Sequence, residues 1–220
     1  MQNKKKEGTR VAPNAMAFYH DKGFVPAWKM AAKYAGKGGR IATVPDVWSA
    51  RLATLKQALK MDWNYMRIPP QCPPWEQYFT TMSAEYCGLS KGGNPILIVA
   101  HGIGPMAGFD GVLKAYSHQY KDKERDIRGG LISQEEFWKL EGGEYGEVAI
   151  VDLEAYLGRY RYPFIADLDL DESLADPLLQ ARLGPRWREC IAAQAAISTK
   201  WHRENLEENS ERLRGWGVTA

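Results

Sequence analysis

His101 stands at the end of the apolar run Ile96, Leu97, Ile98, Val99, Ala100 and is followed by Gly102, Gly104 and Gly108, all within NPILIVAHGIGPMAGFDG. A buried strand that stops at a histidine and a glycine-rich turn presents an imidazole for proton transfer beside backbone N–H groups that can meet a negative oxygen. Farther along, Asp152 and Glu154 lie at the close of a second apolar segment, EVAIVDL. A histidine with one or two carboxylates is the smallest set for acid–base chemistry or for gripping a metal. If the two strands are parallel neighbours, all three side chains emerge at one sheet edge, with His101 as acid or base and Asp152 and Glu154 as its orienting or metal-holding partners.

The turn itself supplies the expected ligand contacts. Gly102, Gly104 and Gly108 let its amides face outward, and Asp110 near the start of the next helix either caps that helix or touches the ligand. Arg159 and Arg161 alternate with Tyr160 and Tyr162 in GRYRYPF, a pattern suited to bidentate capture of phosphate or carboxylate. Read literally, Gly102, Gly104 and Ala107 satisfy G-x-G-x-x-A, the dinucleotide fingerprint in its alanine form. Its acidic ribose ligand has no counterpart at the usual distance, and Gly108 and Gly111 weaken the helix that should follow. The reading therefore stops at a small anionic or nucleotide-like ligand, with no cofactor specified.

Several other chemistries leave no trace. The chain has no G-x-x-x-x-G-K-[ST] loop and no H-E-x-x-H. Cys72, Cys87 and Cys190 are an odd number without C-x-x-C spacing, which argues against a disulfide framework or a structural zinc and for reduced thiols.

The elements that must hold these residues follow from periodicity. Short helices are expected over 14–21 and 26–34, and Asp46 is expected to cap a helix whose Trp48, Leu52, Leu55 and Leu59 make one apolar stripe. Prolines 69, 70, 73 and 74 stiffen a connection, after which Trp75, Tyr78, Phe79, Met82 and Tyr86 share a helical face up to Gly88. Beyond the Ile96 strand come helices over 112–120 and from the Ser133/Glu136 capping box, then the strand 147–153 and another over 164–170. A long C-terminal helix opens at Pro185. The expected fold is α/β: a small, at least partly parallel sheet of three to five strands flanked by helices, helical at both ends, with the strands before and after the central helices joined by a right-handed crossover.

Bulk properties set the outer bounds. The 220 residues carry 45% hydrophobic and 25% charged side chains with a formal net charge of +2, the profile of one globular domain over 11–220 behind a disordered basic tail over 1–10. That balance gives no strong case for nucleic acid. No stretch has the length of a membrane span or the apolar core of a secretory signal, so a cytoplasmic protein is expected. Eight tryptophans and eleven tyrosines also admit a different class of function: a non-catalytic interaction or assembly protein whose aromatic helices contact a protein partner or a second copy.

Overall fold

The fold is given by a computed structural model, which describes residues 9–10, 17–18, 24–61, 72–76, 81–120, 132–159 and 170–215. Strands β1 (Thr9–Arg10) and β2 (Ala17–Phe18) pair antiparallel, so Ala17 and Phe18 are extended where a helix over 14–21 is expected; the rest of that span lies outside the described residues. Helix α1 (Phe24–Ala35) forms as expected and runs into a 3-10 turn over Gly36–Gly38. Helix α2 (Val44–Ala58) is capped by Thr43 rather than by Asp46. The Thr43 hydroxyl accepts from the Asp46 N–H, and the Asp46 carboxylate reaches back to the Thr43 N–H, a capping box in which Asp46 is the third helical residue.

Helix α3 (Pro73–Glu76) is one turn long. The helix expected from Trp75 through Tyr86 is overturned: Ser83–Leu89 is strand β3, and residues 77–80 lie outside the described ones. It pairs along its whole length with β4 (Pro95–His101), from Leu89 against Pro95 to Ser83 against His101. Ala84 and Tyr86 pack on one face with Ile96, Ile98 and Ala100, the two-residue period of a strand rather than the stripe of a helix. Gly88 belongs to that face too, since a Cβ there would sit 2.9 Å from the Phe137 ring.

Helices α4 (Phe109–Tyr120) and α5 (Gln134–Glu141) follow, the latter with the expected Ser133/Glu136 capping box. Strand β5 (Ala149–Asp152) then pairs with β4 antiparallel, Ala149 against Val99 and Asp152 against Ile96. The order β3-β4-β5 is therefore an antiparallel sheet, and the expected partly parallel sheet is wrong. The chain leaves β4 at His101 and re-enters β5 opposite Val99, at the same end of the sheet. Residues 102–148 are thus an excursion from one end and back, not a crossover.

The remaining chain is helical in its described parts: α6 (Leu153–Arg159), α7 (Leu170–Ala175), α8 (Pro177–Leu183), a 3-10 turn over Gly184–Arg186 containing Pro185, and α9 (Trp187–Gly215). The strand expected over 164–170 falls outside the described residues except for Leu170, which opens α7. Both faces of β4 are covered. Tyr86, Ile98, Ala100 and Met106 meet Phe137 and Leu140 of α5 on one side; Leu97, Val99 and Val151 meet Tyr156 of α6 and Leu178 of α8 on the other. Two further clusters join α2 to α9, one around Ala58, Cys72 and Ile197, the other around Leu183, Cys190 and Ile191 with Trp48 and Leu52. Among the described residues no helix is long and apolar enough to cross a membrane.

Gly104 shows how tightly the turn after β4 is seated. Its φ is +91°, and a Cβ would lie 2.8 Å from Leu140 Cδ2 and 3.1 Å from the Tyr86 hydroxyl, whereas at Gly108 a Cβ meets nothing within 4 Å. Gly104→Ala is expected to lower unfolding free energy by about 1–3 kcal/mol, and Gly108→Ala to leave it within about 0.5 kcal/mol. Urea unfolding of both variants checks this; equal effects contradict it.

Candidate functional site

His101 ends the central strand with its side chain on the face that α8 covers. Its Nε2 lies 2.9 Å from the Ala181 carbonyl oxygen and its Nδ1 2.7 Å from Ser83 Oγ. A carbonyl only accepts, so Nε2 carries the proton, and in the neutral form of the ring Nδ1 is the acceptor. Ser83 then donates its hydroxyl proton to Nδ1, while its oxygen accepts the Val44 N–H at 2.8 Å. One chain of hydrogen bonds thus runs from Val44 through Ser83 and His101 to Ala181. It joins the first turn of α2, the last rung of the β3–β4 ladder and α8.

Each member is placed by its own element. Ser83 faces His101 because the two are cross-strand partners at the last rung of the ladder. Ala181 is set by α8, whose N-cap Asp176 is fully buried and accepts the N–H groups of Leu178 and Leu179 and the Tyr156 hydroxyl. Arg182 forks onto both carboxylate oxygens of Glu85, anchoring the same helix to β3. On the α2 side, the Thr43 N–H and hydroxyl bond the Asp46 carboxylate, which also takes the Arg40 guanidinium at 2.7 Å. Partial burial pushes the Asp46 carboxyl up, but Arg40 and Thr43 together outweigh it and hold it below the ordinary aspartate value.

The sequence-expected constellation is not assembled. Asp152 pairs with Ile96, at the far end of β4 from His101, and five residues of strand separate the two positions by about 17 Å. Its Oδ1 accepts the Ala155 N–H at 2.8 Å, capping α6. Glu154 is exposed in the first turn of α6, so it does not share a strand face with Asp152. Arg159 is the last residue of α6, and Arg161 lies outside the described residues. Ser83 is the residue that sequence reasoning missed.

The glycine turn is largely occupied. Gly102 donates its N–H to the Met82 carbonyl, Met106 to the Tyr86 hydroxyl, and Ala107 to the Gly104 carbonyl. Gly102 has φ +74° and is exposed, so the turn opens to solvent beside His101. The N–H groups of Ile103 and Gly104 bond to no described residue. Gly108 leaves open space around it, and Asp110 is exposed in the first turn of α4. With Lys114 and Glu136 it lines a shallow hollow of about 200 Å³ floored by Met106 and Ile132. Two carboxylates against one ammonium do not favour an anion there, and Glu136 is already spent on the N–H and hydroxyl of Ser133.

Cys87 and Cys190 offer no rival nucleophile. Partial desolvation, reinforced by Glu85, pushes Cys87 up although its surface is largely exposed, and burial raises Cys190, the reverse of an activated cysteine. Among the described residues no three His, Cys, Asp or Glu side chains group as metal ligands. Compared with known proteins, the chain matches no family model, no curated protein and no solved structure.

The hydrogen-bond chain makes two measurable demands. In a double-mutant cycle, His101→Ala and Ser83→Ala are each expected to cost about 1–3 kcal/mol and to couple by at least about 0.5 kcal/mol; strict additivity contradicts the bond. Because Asp46 titrates lower in the folded than in the unfolded chain, its stabilisation is present at neutral pH and lost as pH falls through its folded-state value. The stability gap between wild type and Asp46→Asn, measured by denaturant unfolding, should therefore shrink on acidification below about pH 4. A gap independent of pH contradicts that assignment.

Proposed function

We propose that the chain binds a small ligand at the turn joining β4 to α4 and acts on it by hydrolysis or group transfer, with His101 as the general base. The observation that carries this reading is the pair of ring contacts: Nε2 lies against the Ala181 carbonyl and Nδ1 against the Ser83 hydroxyl, so that in the neutral ring Nδ1 is the directed proton acceptor. A base held in one orientation by a third group is a recurrent arrangement in proton-transfer sites, because it removes the need to reorient during reaction. His101 is half-buried beside exposed Gly102, which combines a stable ring position with an opening for a small molecule.

The ligand class follows from what the turn still offers. The N–H groups of Ile103 and Gly104, which bond to no described residue, suit an oxygen that is negative or becomes so during reaction, as in an ester, a phosphoester or a nucleotide-like compound. Asp152 and Glu154 take no part, since the sheet carries them to its other end.

The test is a turnover screen of the full chain against nitrophenyl esters and nitrophenyl phosphates, with His101→Gln alongside. Wild type should release nitrophenolate, and the variant should lose about 10²–10⁴-fold in kcat, the span usual for a general base. No turnover by wild type, or equal rates in a variant that remains folded by circular dichroism, overturns the reading.

A further inference from the structure

We infer that Ser83 is a nucleophile and that the ligand is an acyl ester, attacked to form an acyl-serine. This deepens the assignment of His101 as base and rests on it. The geometry is specific to Ser83: its Oγ is 2.7 Å from His101 Nδ1 and its proton has no other acceptor along the chain of bonds, because the Val44 N–H already donates to the same oxygen at 2.8 Å. Nucleophile, base and orienting group are all within hydrogen-bonding reach, the relation that activates a serine.

Val44 adds an electrostatic reason. It is the first residue of α2, a helix of 15 residues, so the positive end of that helix faces the oxygen on which negative charge grows as the proton leaves. The other first-turn donors are spent: the Thr43 N–H is held by Asp46, and those of Asp46 and Val47 by Thr43. The ester oxygen must therefore find its donors elsewhere, and Ile103 and Gly104, just past His101, are among the turn residues whose N–H groups bond to no described residue.

The steps balance without a further reagent. Ser83 Oγ bonds to the acyl carbon as its proton passes to His101 Nδ1, and the carbonyl oxygen takes the negative charge. The tetrahedral species expels the alkoxide, which collects the proton from Nδ1 and leaves as alcohol. Water then gives a proton to Nδ1 while its oxygen bonds to the acyl carbon. Ser83 departs, regains that proton, and the carboxylic acid is released. Throughout, Nε2–H stays on the Ala181 carbonyl and steadies the transient imidazolium.

Two readouts on the full chain test this. Incubation with an alkyl fluorophosphonate should displace fluoride and leave one phosphonyl group on the peptide containing Ser83, mapped by mass spectrometry, with labelling lost in His101→Gln. With nitrophenyl acetate, wild type should show a burst of nitrophenolate, and Ser83→Ala should lower turnover by about a thousandfold or more. Ser83→Cys, which keeps volume and a nucleophile, serves as the folded control. A wild type that hydrolyses the ester through His101 but is not labelled, with Ser83→Ala still active, overturns the nucleophile and leaves His101 activating water. Loss of neither activity nor labelling in either variant overturns both assignments.

Discussion

The imidazole of His101 uses both of its nitrogens inside the protein, and much of the arrangement around it depends on that. The apolar faces of β4 supply most of the local burial, through Leu97, Ile98 and Val99, but burial is nearly indifferent to direction. A few hydrogen bonds, each worth about 0.5–1.5 kcal/mol net, decide orientation instead. Val44, Ser83, His101 and Ala181 thereby fix the start of α2 and the body of α8 relative to the same rung of the sheet. The Asp176 cap and the Arg182–Glu85 fork hold α8 on either side of that contact, so the carbonyl meeting the ring is itself tightly placed.

The same constraint separates stability from chemistry less than is usual. A histidine held between a carbonyl and a hydroxyl is a sound structural tie, and in its neutral form it is also the arrangement that presents a basic nitrogen to a serine. Which residues can take part is settled by strand direction. With β5 antiparallel to β4, Asp152 becomes a helix cap at the opposite end of the sheet, and the polar partner of His101 comes from β3.

Much of the fold was legible where its signal is local. The apolar run of β4, the Ser133/Glu136 capping box and the Pro26–Tyr34 helix all read correctly, because each is written within a few residues. Residues 75–86 misled because aromatic side chains three and four apart fit a helix, while the strand period begins only at Ser83. The Lys91, Gly92, Gly93 turn reads as a turn from the sequence, and it closes a hairpin where a break between helix and strand is expected. Ser83 and His101 are equally distant from Gly92, so a hairpin centred there sets them opposite each other. The sheet direction was less accessible: two strands separated by predicted helices fit a parallel crossover, and only the return of residues 102–148 to the starting end excludes it. Thr43 displaced Asp46 as cap because a threonine three residues before an acid satisfies two orphan donors at once.

The most direct measurement is the protonation pattern of the His101 ring, read from its nitrogen chemical shifts by NMR at neutral pH and assigned with His101→Gln. The hydrogen-bond chain requires a single tautomer, protonated at Nε2 and bare at Nδ1, with the Nε2 proton in slow exchange. A ring protonated at Nδ1, or one averaging between tautomers, would contradict it and leave Ser83 without its acceptor.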